Sequence, residues 1–231
     1  MMLEIQEIEE GCKHVILCEG RDELLFLVYY LNSRELKQVD KEYSESVQVF
    51  DFGGIGQLAS FVKAFSNMNH FSEIESILIV RDAEKSVNSA IGSIGSALKK
   101  SGMPVPSSAG AWESDENGSK RVAYLLFPSL SKTSKEGTLE DLCIDIIKDE
   151  HKSIEVLSEC DSAMNNLLAK GVREFPRPFK TKMHSFFALT DLFVGMKIGE
   201  AAKAGAFNWA SEKLEGLKQL LKETFDMSKK S

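Results

Sequence analysis

The stretch HVILCEGRDELLFLVYYL, His14 to Leu31, decides the fold. Five residues of strand character, 14–18, run into Glu19 and Gly20, and Leu24, Leu25, Val28 and Leu31 then recur at the spacing that lays one apolar stripe along a helix. A strand that turns at once into a helix is half of a β-α-β unit, and the pattern recurs twice. VQVF (47–50) precedes DFGGIGQL, which opens a helix with Leu58, Phe61, Val62 and Phe65 on one face. SILIV (76–80) precedes RDAEKS and a helix in which Val87, Ala90, Ile91, Ile94 and Leu98 keep helical spacing until Gly102 and Pro104 end it. Three such units in a row predict a mainly parallel sheet covered on both faces by helices.

Beyond them the texture changes. PVPSSAGAWESDENGSK (104–120) reads as a long loop with room for a short strand near Ala111. RVAYLLF (121–127) is apolar almost throughout, as suits a strand buried on both faces, and Pro128 ends it. Thr138 is placed as an N-cap with Asp141 at the third helical position, and the helix is predicted to run through LEDLCIDIIKDE (139–150). From there the chain reads as helical. Leu189, Leu192, Phe193 and Met196 form one stripe, Leu214, Leu217, Leu220, Leu221 and Phe225 another, and KAGAFN (203–208) is the turn between them. The expected fold class is α/β: one domain over 1–231, with a sheet core of about 12–150 and a helical C-terminal extension of about 151–231 packed on it.

Composition bounds the function. With 43% hydrophobic residues the chain can fill a core. Its 28 basic and 35 acidic residues leave a net charge of −7, which opposes sequence-blind attraction to a phosphate polymer or an anionic membrane. No run reaches the roughly 18 apolar residues of a membrane helix, and MMLEIQEIEEG is acidic where a signal peptide is basic, so a cytoplasmic protein is expected. Cys12, Cys18, Cys143 and Cys160 form no C-x-x-C pair and no regular spacing with histidines, which predicts reduced, buried thiols and neither zinc site nor disulfide framework. Gly54, Gly56 and Ala59 in GGIGQLA have the relaxed spacing of a dinucleotide cradle, but they follow the second strand and read as a tight strand-to-helix turn. Gly92 and Gly95, inside a helix, suggest close packing onto the sheet.

The acidic residues at strand ends carry the chemistry. In a parallel sheet every strand delivers its C-terminal end to one edge, so Glu19 and Asp82 face one crevice. Glu84 lies two residues further on, Glu23 one helical turn after Glu19, and Glu140 and Asp141 open the helix after the last strand. Glu23, Glu140 and Asp141 all occupy first helical turns, where a carboxylate is favoured by the helix dipole alone. Glu19 directly follows an apolar strand, where charge costs solvation unless something compensates it. Crowded carboxylates repel unless protons or cations neutralise them, and oxygen donors of this kind suit Mg²⁺ or Mn²⁺ far better than zinc.

CEGRDE followed by IVRDAE, each at a strand end, resembles the Toprim domain, whose metal site is a glutamate plus Asp-x-Asp, found in topoisomerases, primases and OLD-family nucleases. EGRDE is similar to the OLD-type arrangement at Glu19, Gly20 and Glu23. GTLEDLC (137–143), KTKMHSFFA (180–188) and GEAAKAGAFNW (199–209) extend the likeness, over nearly the whole chain, to a bacterial Toprim-like family of unknown function related to the OLD nucleases. What the resemblance implies is a two-metal phosphodiester hydrolase, with ions about 4 Å apart. Glu19 and Asp82 are then central ligands, Glu23 and Glu140 complete the second metal site, Glu84 is auxiliary, and Lys180 stabilises charge at phosphorus, with Lys182 in reserve. One position departs: Asp-x-Asp becomes Asp82-Ala83-Glu84, longer by a methylene at the second ligand.

Arg173, Arg177, Lys180 and Lys182, interleaved with Phe175 and Phe179 against the single acid Glu174, make a basic-aromatic stretch that a DNA or RNA groove uses; the alternative is a solvated loop whose phenylalanines plug the core. Two other functions stay open, a non-catalytic module of the same fold that binds nucleic acid or protein, and a phosphohydrolase acting on small phosphates. Unlike OLD proteins, the chain has no Walker A motif, which leaves room for a separately encoded ATPase partner, as it does for a homodimer.

Overall fold

The computed structural model describes residues 7–38, 46–147 and 151–228, without the side chains of 151–152 and 225–228. Five strands form one sheet: β1 (His14–Cys18), β2 (Val47–Asp51), β3 (Ser76–Asp82), β4 (Glu113–Ser114) and β5 (Arg121–Phe127). Their order is β2-β1-β3-β5-β4, with the first four parallel and the two-residue β4 antiparallel at one edge. In register, His14 stands beside Val47 and Ser76, Cys18 beside Val80, and Asp82 beside Phe127. The chain moves outward from β1 to β2 and returns to place β3 on the other side of β1. That reversal opens a crevice at the C-terminal ends of β1 and β3.

Nine helices are described: α1 (Arg21–Leu31), α2 (Arg34–Lys37), α3 (Leu58–Phe65), α4 (Val87–Lys100), α5 (Leu139–Asp145), α6 (His151–Ala169), α7 (Pro178–Ala188), α8 (Ile198–Lys203) and α9 (Glu215–Ser228). Alternation along the strands sorts the core into two layers. Val15, Leu17, Ile77, Ile79, Val122 and Leu126 face α3 and α4. Ile16, Cys18, Leu78, Val80, Leu125 and Phe127 face α1 and α5, and the C-terminal helices close over the same layer through Met183, Phe186, Phe187, Ile198 and Leu217. The C-terminal part therefore shares its core with the sheet. All four cysteines are free and buried, as their spacing predicts. Among the described residues no helix is long and apolar enough to cross a membrane.

Several expectations need correction. The helix from Leu139 stops at Asp145, because Ile147 pairs with Phe207 in an isolated bridge and the Ile146 carbonyl accepts the Asn208 N–H at 2.7 Å; Lys148 to Glu150 lie outside the described residues. Leu189 and Leu192 are 62% and 76% exposed, so the stripe read there forms only in part, through Phe193 and Met196, which pack against the core; the buried face belongs to Met183, Phe186 and Phe187 of α7. Gly92 is exposed with open space where a Cβ would go, and Gly95 meets only Val105, so neither glycine packs on the sheet. The side chain of Phe225 and residues 39–45 of the first connection lie outside the described ones.

A glycine that does enforce close packing is Gly199, in α8. A Cβ there would stand 2.6 Å from Leu25 Cβ on α1, and its N–H donates to Asp22 Oδ1 at 3.1 Å. Gly199→Ala is expected to cost roughly 1–3 kcal/mol by overpacking, read as a lower urea midpoint. An unchanged midpoint means that α1 and α8 separate freely.

Candidate functional site

The crevice at the strand reversal holds a cavity of about 470 Å³, within the range of ligand sites. Glu19, Glu23, Asp82, Glu84, Glu140 and Asp141, the acidic residues read at strand ends and first helical turns, all line it. The turns at the strand ends place them. After β1, Gly20 is extended and lets Glu23 fold back toward the edge, where a Cβ on Gly20 would lie 3.1 Å from Glu23 Oε2. After β2, Gly53 and Gly54 take positive φ, and the Gly54 N–H reaches the Glu19 carbonyl at 2.8 Å, so GGIGQLA is the tight turn it reads as. After β3, Glu84 takes φ 53° and pairs with Gly137 through two backbone hydrogen bonds of 2.9 Å. That bridge draws the start of α5 against the end of β3, and only glycine fits at 137, where a Cβ would sit 2.9 Å from Pro128 Cδ.

Some carboxylates have local duties. The Leu139 N–H donates to Asp82 Oδ1 at 2.9 Å, so one oxygen of Asp82 closes the start of α5. Asp141 accepts from the Thr138 N–H at 2.8 Å and its hydroxyl at 2.9 Å, which is the capping arrangement expected of it. Asp22 caps α8 through Gly199. Glu19 differs: its Oε2 is buried without a hydrogen-bond partner. Its nearest cation is Arg81, whose guanidinium lies 3.5 Å away, close enough for an ion pair and too long for a good hydrogen bond. Arg81 is 2% exposed and also donates to Ser93 Oγ at 3.3 Å. The charged residue inside ILIVRD is the signal that marks it, because a cation so near the end of a buried strand needs a counter-charge.

Burial pushes the Asp82 carboxyl up to about 9, with the charges of Glu23, Glu19 and Glu140 adding to the effect. Glu23 is pushed up to about 7, again first by burial, and Glu19 is raised because desolvation outweighs the pull of Arg81. A carboxyl raised in the folded state contributes stability that is complete below its unfolded pKa and is lost as pH rises through its folded pKa. The metal-free protein should therefore lose stability between about pH 4 and 9. Asp82→Asn keeps an oxygen for Leu139 and removes the charge, so it is expected to raise the metal-free melting temperature at pH 8 by about 2–8 °C and to flatten the pH profile. A lower melting temperature at pH 8 would mean that Asp82 is ionised and paired in the native state.

On the cationic side, Lys180 lines the cavity and stands 3.4 Å from Glu140, with Arg177 beside it. Lys182 points away to Asp161 of α6, 2.5 Å off, and does not belong to the site. Arg173 is exposed away from the cavity and Phe175 is half-buried elsewhere, whereas Phe179 lines the cavity and is 48% exposed, so it does not plug the core. Arg21 and Lys85 also line the cavity, neither singled out by the motifs.

The all-oxygen donor set and the orphaned Glu19 Oε2 suit a hard divalent cation. Among the described residues no group of three or more His, Cys, Asp and Glu side chains is disposed to hold a metal ion. The donors converge on one cavity without closing on a common point.

Fold and cavity together define an α/β protein with an acidic site at the reversal point of a mainly parallel sheet. The chain belongs to DUF3226, a family of proteins of unknown function, whose model matches residues 13–226. No curated protein and no solved structure matches it.

Proposed function

We propose that this protein hydrolyses phosphodiester bonds with Mg²⁺ or Mn²⁺ as cofactor, as a Toprim-like nuclease. The supporting observation is the meeting of Glu19, Glu23, Asp82 and Glu140, from three separate connections, with Lys180 and Arg177 in one cavity. A divalent cation, when bound, supplies Lewis-acid stabilisation of the phosphoryl oxygens and activates water. Glu19 and Asp82 would be its central ligands, with Glu23 and Glu140 beside them and Glu84 in support. The Leu139 N–H orients Asp82 through Oδ1 at the wall of the cavity. Arg81 holds Glu19 from within the protein. Lys180, paired with Glu140 and 47% exposed on its side chain, would meet the charge that builds on phosphorus. The absence of a P-loop motif from the sequence fits a separately encoded ATPase partner, and a cytoplasmic setting is part of the same reading. The cavity volume favours one alternative, a phosphohydrolase of small phosphate esters.

The test incubates purified protein with supercoiled plasmid, and separately with single-stranded DNA, in Mg²⁺ or Mn²⁺. Wild type is expected to cut at least one of the two substrates and Glu19→Gln to lose that cleavage. Either cation should also raise the melting temperature of wild type, by mass action, and leave Glu19→Gln combined with Asp82→Asn unmoved. Cleavage undiminished in Glu19→Gln, or an equal thermal response in the double variant, overturns the proposal.

A further inference from the structure

We infer that the cavity takes a single strand of nucleic acid with its bases unpaired, and that Phe179 selects it by stacking on the base beside the phosphate clamped by Arg177 and Lys180. This rests on the phosphodiester reading above and adds the form of the substrate to it. Phe179, Met183, Phe186 and Phe187 share one face of α7 by their spacing of four, seven and eight residues. Met183, Phe186 and Phe187 are buried, and the two phenylalanine rings pack at 5.9 Å. Phe179 continues that face yet lines the cavity and is 48% exposed, so about half of its surface is left open. An apolar ring left open between Arg177 and Lys180 offers what an unstacked base and its phosphate require.

The burial of the acidic groups favours a single strand over a duplex. Asp82 is 7% exposed, and the side chains of Glu19 and Glu140 are 13% exposed, so a reacting phosphate must enter the cavity to reach them. A duplex carries its phosphates on a convex surface with the base faces stacked inside, which leaves none for a protein ring. A flexible strand bends a phosphate inward and turns out a base in the same movement.

The test is fluorescence anisotropy with Ca²⁺ replacing Mg²⁺, using a labelled single-stranded DNA oligomer, its RNA equivalent, the matching blunt duplex, an abasic strand of the same length and a mononucleotide competitor. The expected result is tighter binding of the single strands than of the duplex. Phe179→Ala should weaken them about 5- to 100-fold, the value of one stacked base, while Phe179→Trp retains binding. The abasic strand should not respond to Phe179→Ala, and the DNA and RNA arms identify which polymer is preferred. Duplex binding equal to single-strand binding, an unchanged affinity in Phe179→Ala, or a mononucleotide competing as well as the strand overturns the inference. If wild type cuts duplex and Phe179→Ala cuts it equally, this inference falls and the phosphodiester reading stands. If wild type neither binds nor cuts any probe, both fall.

Discussion

Arg81→Met is expected to lower the stability of the metal-free protein by roughly 3–5 kcal/mol, the usual consequence of removing one partner from a buried ion pair. Methionine fills much of the space of the arginine stem, so the cavity cost is small and the lost charge dominates. Glu19 then keeps its desolvation and the repulsion of Glu84, and loses the cation that opposes them. Burial already raises its carboxyl with Arg81 present, and without Arg81 the carboxyl rises further, so the deficit should be larger at pH 8 than at pH 5. Adding Glu19→Gln to Arg81→Met should recover part of the loss, which a double-mutant cycle by chemical denaturation measures. A deficit below about 1 kcal/mol with no recovery in the double variant would mean that water compensates Glu19 and that Arg81 only packs.

Lys180→Ala is expected to lower the cleavage rate about 10²- to 10³-fold, as removal of one transition-state stabiliser does. The same variant should keep the thermal response to Mg²⁺ or Mn²⁺, because Lys180 donates nothing to a cation and its removal frees Glu140 from their ion pair. Lys182→Ala is the matched control, since Lys182 is engaged with Asp161 on α6 and should change the rate less than about threefold, as surface changes away from a site do. Equal losses in the two variants would show that positive charge on α7 acts at a distance and that neither lysine meets the reacting phosphate.

The strand-helix rhythm was legible because both periods are written in the chain. Alternation and continuous apolar character mark β1, β3 and β5, and the four-residue stripes mark α1, α3 and α4. The parallel reading followed from the connecting helices, and with it the meeting of Glu19 and Asp82 at one edge. Legibility failed where local propensity competed with contacts made elsewhere. The run from Leu139 through Ile147 has helical spacing, yet pairing with Phe207 and Asn208, about sixty residues later, ends the helix at Asp145. Leu189 and Leu192 keep helical spacing and still face solvent, because α7 ends at Ala188 and the turn that follows lifts them off the core.

The sequence by itself determined the α/β class, the edge on which the acidic residues gather and the capping role of Asp141, since each depends on spacing within a short segment. Tertiary structure alone decided which of those groups remain available. Asp82 gives one oxygen to Leu139, 57 residues away, and Asp22 is spent on Gly199, 177 residues away. Lys180 and Lys182 flank the same buried stripe on opposite sides, and only the packing of α7 between the cavity and α6 turns one to the acidic cluster and the other to Asp161. Arg81 is assigned to Glu19 in the same way, because the strand order sets β1 beside β3 and leaves the guanidinium no water to face. These choices are made by desolvation and charge across distant segments, terms that a one-dimensional pattern of residue types does not contain.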